Sequence, residues 1–349
     1  MKRALEIYGT LGPSCADKEI LREMFAAGIT GMRLNLSHGT LKDSANLIEA
    51  FHLAAGLEGV SPSLLIDMQG PELRIGVLER EIPLSKGQEA VLIEKGAFGE
   101  TSGAIPIPPE IFDHYEPGMI LLIDDGKIQL RAEKLFNESG TGRRITARAL
   151  ADGTVLSRKS IAVQEMTITG AALTGQDLEN LRCAYDAGVT DVMQPFVRGA
   201  ADMREVRKAM EENGAGHCRL FAKIENRDGI RAVDEILPLT DMLVIARGDL
   251  GNAVPLWELP RVQKEISLKC IAADIPFMVV TQMLASMERS PVPTRAEVSD
   301  IFNAVCDGAG AVMITGESAS GLYPVRASQF LVKTAQEGLR WRERIRLRS

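Results

Sequence analysis

Cysteine, histidine and aromatic side chains are all scarce in this 349-residue chain, which has five cysteines, four histidines, two tryptophans, four tyrosines and ten phenylalanines. The cysteines, Cys15, Cys183, Cys218, Cys270 and Cys306, are odd in number, scattered, and form no CxxC pair. That excludes a disulfide scaffold and a cysteine-built zinc site. A surplus of positive charge is missing too: 40 basic against 47 acidic residues leave a net charge of −7. There is no basic field to recruit nucleic acid. No apolar run approaches the ~18 residues of a membrane span, and the amino-terminal apolar stretch is too short for a signal peptide. The expected protein starts near Met1, binds neither membrane nor nucleic acid, and resides in the cytoplasm.

Core material is plentiful. Apolar residues make up 45% and charged residues 25% of the chain, a globular composition. The length accommodates one large α/β domain with an insertion, or two ordinary domains. Short apolar runs suited to buried parallel strands recur at 5–11, 31–37, 63–70, 191–197, 219–225, 242–248, 276–282 and 311–317. Stretches with helical apolar spacing lie between them, such as KEILREMFAAG, LENLRCAYDAG, VQKEISLKCIAA and EVSDIFNAVCDG. Thr174 with Asp177, and Thr294 with Glu297, place a hydroxyl and an acid three apart, which predicts capped helix starts. Eight strand–helix alternations predict a (β/α)₈ TIM barrel, with an open doubly wound sheet as the competitor.

The rhythm breaks after the third strand. From 75 to 160 the chain is punctuated by glycine and proline and reads as a small all-β insertion. Removing these 86 residues leaves 263, close to the ~250 of such barrels. The expected organisation is therefore a barrel of 1–74 and 161–349 with a β domain of 75–160.

Charges at the carboxyl ends of buried strands need a reason, because an unpaired buried charge is costly. Lys223 and Glu225 lie two apart and share one side of a strand. Another run ends in Arg247, Gly248 and Asp249. Arg33, Asn35 and Ser37 alternate onto one face, and Asp67 is followed by Glu72 and Arg74. In a barrel these residues converge at one end, with Thr281. Glu225 and Asp249 could offer two hard oxygens to Mg²⁺ or Mn²⁺ beside the fixed charge of Lys223. A core ion pair and a helix cap are the structural alternatives.

The segments RLNLSHGT, IDMQGPELRIG, LIDDGKI, FAKIENRDGI, IARGDLG, TQMLASM and SPVPTRAEVSDIFNAVCDG, in this order, resemble the pyruvate kinase family. The resemblance implies a barrel with a mobile β lid, and phosphoryl transfer from phosphoenolpyruvate to ADP, giving pyruvate and ATP. It implies Glu225 and Asp249 as Mg²⁺ ligands and Lys223 as the cation on the transferring group. Gly248, Asp249, Thr281 and Arg33 would bind the substrate, with Lys223, Arg33 and Thr281 catalytic. Arg74, Asn35, His38 and the lid residue Asp125 would face the nucleotide. Asn35, Ser37, Asp67 and the carbonyl of Met68 would hold K⁺, and Glu72 marks a potassium-dependent member.

The chain departs from the family pattern at Gln69, where a lysine is usual, at Pro195, where a serine is usual, and in IAVQEMTITG after the insertion. The additional carboxy-terminal domain usual in the family is expected to be absent. Arginines at 340, 342, 344, 346 and 348, with Trp341, Ile345 and Leu347, read as a solvated helix end or as the surface of a homo-oligomer, a dimer. A Mg²⁺-dependent lyase or aldolase stabilising a pyruvate enolate, and a non-catalytic ligand-binding homologue, are the alternative functions.

Overall fold

The computed structural model describes residues 4–71, 73–96, 103–124, 126–138, 142–164 and 170–346. Eight strands form a closed parallel barrel: β1 (Glu6–Thr10), β2 (Gly31–Asn35), β3 (Ser63–Asp67), β4 (Asp191–Gln194), β5 (Arg219–Ile224), β6 (Met242–Ala246), β7 (Phe277–Val280) and β8 (Ala311–Met313). Closure comes from β1, which pairs with β2 on one side and β8 on the other. Every expected strand is found, but each ends one to four residues before its apolar run does. The surplus residues turn into the loops that carry the polar side chains.

Near-continuous apolar runs follow from burial on both faces of the sheet. Along β6, Met242, Val244 and Ala246 point into the barrel with Tyr8, Leu65, Met193, Phe221, Met278 and Met313. Leu243 and Ile245 face the surrounding helices instead. Gly31 is required by this packing, since a Cβ there would lie 2.3 Å from the ring of Tyr8.

Both expected capping boxes are formed. Thr174 opens the helix Gly175–Cys183 with Asp177, and Thr294 opens Arg295–Cys306 with Glu297. At the amino ends of the strands, Arg219 bonds Glu6 and Asp191, and the Tyr8 hydroxyl donates to Glu6 at 2.6 Å. This second set of charges is paired within itself. The arginine-rich tail continues the helix Pro324–Arg346. Arg340, Arg342 and Arg344 therefore spread around the helix; Arg342 bonds the carbonyls of Val305 and Ala309, Trp341 and Ile345 are about half exposed, and Leu347, Arg348 and the side chain of Arg346 lie outside the described residues.

The chain divides into two compact units, one of 1–70, 172–250 and 257–349, the other of 71–171 and 251–256. The second unit is wider than the 75–160 segment marked out by glycine and proline. Ile161–Val163 pairs with Ile120–Ile123 at the edge of a six-stranded sheet, and the Ile161 amide bonds the Leu73 carbonyl. Backbone pairing thus carries both ends of the insertion past the turn residues. A two-stranded sheet of Ile82–Leu84 and Gly153–Val155 completes the unit. Its own core includes Leu92, Ile105, Leu121, Leu130 and Ile145.

Candidate active site at the carboxyl ends of the barrel strands

Lys223 points out of a strand that is otherwise almost wholly buried, and its side chain is 13% exposed. Its ammonium lies 2.9 Å from Glu225 Oε1 and 3.3 Å from Asp67 Oδ2. Arg33, on the neighbouring strand, reaches the same Asp67 oxygen through Nε at 2.8 Å and through a second nitrogen at 2.6 Å. Parallel register sets this meeting: Arg33 stands opposite Leu65 and Asn35 opposite Asp67. Burial opposes the charge on Lys223. The carboxylates of Asp67 and Glu225, with Asp249 adding to them and Arg33 opposing, outweigh it and hold the ammonium's pKa well above that of an ordinary lysine.

Glu225 follows β5 directly and is fully buried. Its Oε2 accepts the Phe196 amide at 2.8 Å, which holds Phe196 in a left-handed conformation at φ +53°. Its Oε1 forms the ion pair with Lys223 but receives no directed hydrogen bond. A buried carboxylate oxygen without a donor is chemically suited to a cation. Among the described residues, no group of three or more His, Cys, Asp and Glu side chains could hold a metal. Glu225 places that oxygen at the carboxyl end of β5, and Asp249 adds to the negative field around Lys223.

Gly248 lies against Thr281: a Cβ at 248 would sit 3.1 Å from Thr281 Cγ2. Thr281 itself has φ +81° and Gln282 φ +56°. Ser37 leaves the strand face expected for it, because β2 stops at Asn35 and Leu36–His38 forms a 3₁₀ turn in which Asn35 Oδ1 accepts the Ser37 amide. Met68 donates its amide to the Met193 carbonyl. Arg74 belongs to the second unit, where it bonds the Arg158 carbonyl at 2.9 Å. Glu72, Asp125 and the side chain of His38 lie outside the described residues.

Several supporting contacts escape a motif reading. Asp177, legible as a helix-capping acid, also accepts the amides of Gln69 and Gly70 at 2.8 and 3.1 Å. Gly70 is left-handed, and a Cβ there would meet Pro195 Cγ at 2.5 Å. Two of the departures from the family pattern, Gln69 and Pro195, therefore meet around one turn.

Asp67 also sets a pH dependence. Burial alone would raise its pKa, but Lys223 and Arg33 and their hydrogen bonds outweigh burial and leave it lowered. The folded chain then binds this proton less tightly than the unfolded chain does. The stabilisation is complete above the ordinary aspartate pKa of about 4 and is lost as pH falls through the lower folded value. In circular-dichroism melts, Tm is expected to fall more steeply below about pH 4 for the native chain than for Asp67→Asn.

Residues 2–328 match the family model for pyruvate kinase, barrel domain. The pyruvate kinase of Agrobacterium vitis is 38% identical over 331 residues, covering 94% of this chain and 67% of that protein. Those of Bacillus licheniformis and Geobacillus stearothermophilus are 34% and 35% identical, each over 94% of this chain but 56% and 55% of their own lengths. The chain spans little more than half the length of these two relatives. With a closed parallel barrel beneath a match that runs over nearly its whole length, the chain belongs to the pyruvate kinase family.

Proposed function

We propose that this protein transfers the phosphoryl group of phosphoenolpyruvate to ADP, giving pyruvate and ATP. The observation that carries the reading is the ammonium of Lys223 against the donor-free Oε1 of Glu225, with Asp249 contributing to the same field. In this reaction the bond from phosphorus to the enol oxygen breaks while a bond to an ADP β-phosphate oxygen forms. The enolate left behind takes a proton on its methylene carbon. Little covalent help is needed from the protein, so positioning and charge neutralisation dominate.

Lys223 keeps its proton because of its carboxylate partners and so supplies a fixed positive charge to the transferring group. Arg33 adds a second cation. The amides of Gly248 and Asp249 and the Thr281 hydroxyl receive the substrate carboxylate, and Thr281 orients the water that protonates the enolate. Glu225 and Asp249 would hold Mg²⁺ or Mn²⁺, which would supply charge neutralisation at the phosphate oxygens. Asn35, Ser37, Asp67 and the Met68 carbonyl would hold K⁺. Asn35, His38, Arg74 and Asp125 are proposed for the nucleotide.

No helix among the described residues is long and apolar enough to cross a membrane. A cytoplasmic location accords with five free thiols. A homodimer is proposed on the half-exposed Trp341 and Ile345.

The test is a steady-state assay of purified protein with phosphoenolpyruvate, ADP, Mg²⁺ and K⁺. Pyruvate and ATP are expected in equal amounts, at about 1–100 per second. Exchange of pyruvate methyl protons without ATP would move the assignment to the enolate-stabilising lyases. Binding without either reaction would make the chain a non-catalytic homologue.

A further inference from the structure

Thr281 adopts a backbone conformation that its side chain disfavours. A β-branched residue at φ +81° is a genuine outlier, and Gln282 follows it at φ +56°. Such a conformation persists only where the surroundings over-determine it. Here the surroundings can be named. The Thr281 carbonyl accepts two N–H groups of Arg247, from NH2 at 2.8 Å and from Nε at 3.3 Å. The third nitrogen of that guanidinium pairs with Asp300 at 2.7 Å, in the helix Arg295–Cys306. Further along the same turn, the Leu284 amide donates at 2.9 Å to Glu317, which is 1% exposed and also receives the Thr315 amide.

We infer that Arg247 is a positioning residue: braced on Asp300, it grips the Thr281 carbonyl and keeps Thr281 left-handed, with its side chain packed against Gly248. The inference rests on the proposed function for the role of the Thr281 hydroxyl, but the conformational part stands on its own. Arg247 immediately precedes Gly248 and Asp249 in the chain. One side chain therefore links the turn that supplies two substrate-binding amides to the turn that supplies the hydroxyl. The close approach of the two, which would leave a Cβ at 248 only 3.1 Å from Thr281 Cγ2, is the result. Planar geometry matters, because a guanidinium can bond the carbonyl and Asp300 at once in fixed directions and an ammonium cannot. Freed from this grip, Thr281 relaxes to negative φ and its hydroxyl leaves the position beside Gly248.

The test combines a double-mutant cycle with a crystal structure. Arg247→Met is expected to lower kcat by about 100-fold, the loss that a misplacement of roughly 1 Å produces, and KM for ADP should change little. Thr281→Val should also lower kcat. Because Arg247 acts through Thr281, the double variant should be no slower than the slower single variant. The crystal structure of Arg247→Met should show Thr281 at negative φ. Losses that multiply, or a Thr281 that stays left-handed without Arg247, would overturn the inference. Should Arg247→Met fail to fold, Arg247→Lys and Asp300→Asn carry the same cycle and the same backbone readout. A native chain that transfers no phosphoryl group defeats the proposed function, and the φ of Thr281 then decides the inference alone.

Discussion

Lys223→Met is expected to lower kcat by at least about a thousandfold, at the upper end of what one preorganised electrostatic donor supplies. Methionine is chosen because it keeps the unbranched stem and removes only the ammonium. The loss should fall on kcat more than on KM if the charge acts mainly on the transferring group. Stability should fall as well. Asp67 retains Arg33, but Glu225, in a fully buried position, loses the cationic partner that it has among the described residues. Breaking a buried ion pair from one side costs about 3–5 kcal/mol. Thermal melts of the native chain and the variant read that loss directly. Retention of more than a tenth of native turnover would remove Lys223 from the mechanism.

Glu225→Gln is the second large effect. The amide oxygen can still accept the Phe196 N–H, so the left-handed turn at Phe196 should survive, while the negative charge is gone. Loss of groups that merely orient metal ligands typically costs 10–100-fold in affinity. Loss of a ligand carboxylate should therefore weaken Mn²⁺ binding by about 100-fold or more, read directly by electron paramagnetic resonance without any turnover. The lysine should respond too: with one of its two main carboxylate partners neutral, the pKa of Lys223 moves down toward the ordinary value. Unchanged Mn²⁺ affinity would mean that Glu225 is a structural partner of Lys223 and nothing else.

The two substitutions test different links of one chain of contacts. Lys223 and Glu225 are two residues apart, and the ion pair between them follows from local strand geometry. The contacts with Asp67 and Arg33 span sequence separations of 156 and 34 residues between partners and depend on barrel closure. A substitution at Lys223 disturbs both kinds of contact, whereas one at Glu225 disturbs mainly the first.

Much of the fold was legible because it rests on short-range patterns. Apolar runs such as MLVIA need burial on both faces, and a parallel barrel provides it. The Thr174–Asp177 and Thr294–Glu297 boxes are closed within one helical turn, so three-residue spacing suffices to find them. Strand ends were read too long, since residues such as Ser37 and Thr281 share the composition of the strand but turn away from it. The insertion was read too short: its outermost pairing, Ile161 with Leu73, joins residues 88 positions apart and leaves no local mark.

By itself the sequence determined which residue types stand at the carboxyl ends of the strands, the alternation that builds the barrel, and the helix caps, because each depends on neighbours within a few positions. Only the tertiary structure decided that Asp67 is shared between Arg33 and Lys223, that one oxygen of Glu225 is left without a donor, and that Asp177 holds the turn at Gln69 and Gly70. It also decided that Thr281 is left-handed. The physical reason is common to all four: a buried polar atom takes whatever partner closure of the sheet brings within about 3 Å, and that partner is chosen by register between strands, which no single segment of the chain contains.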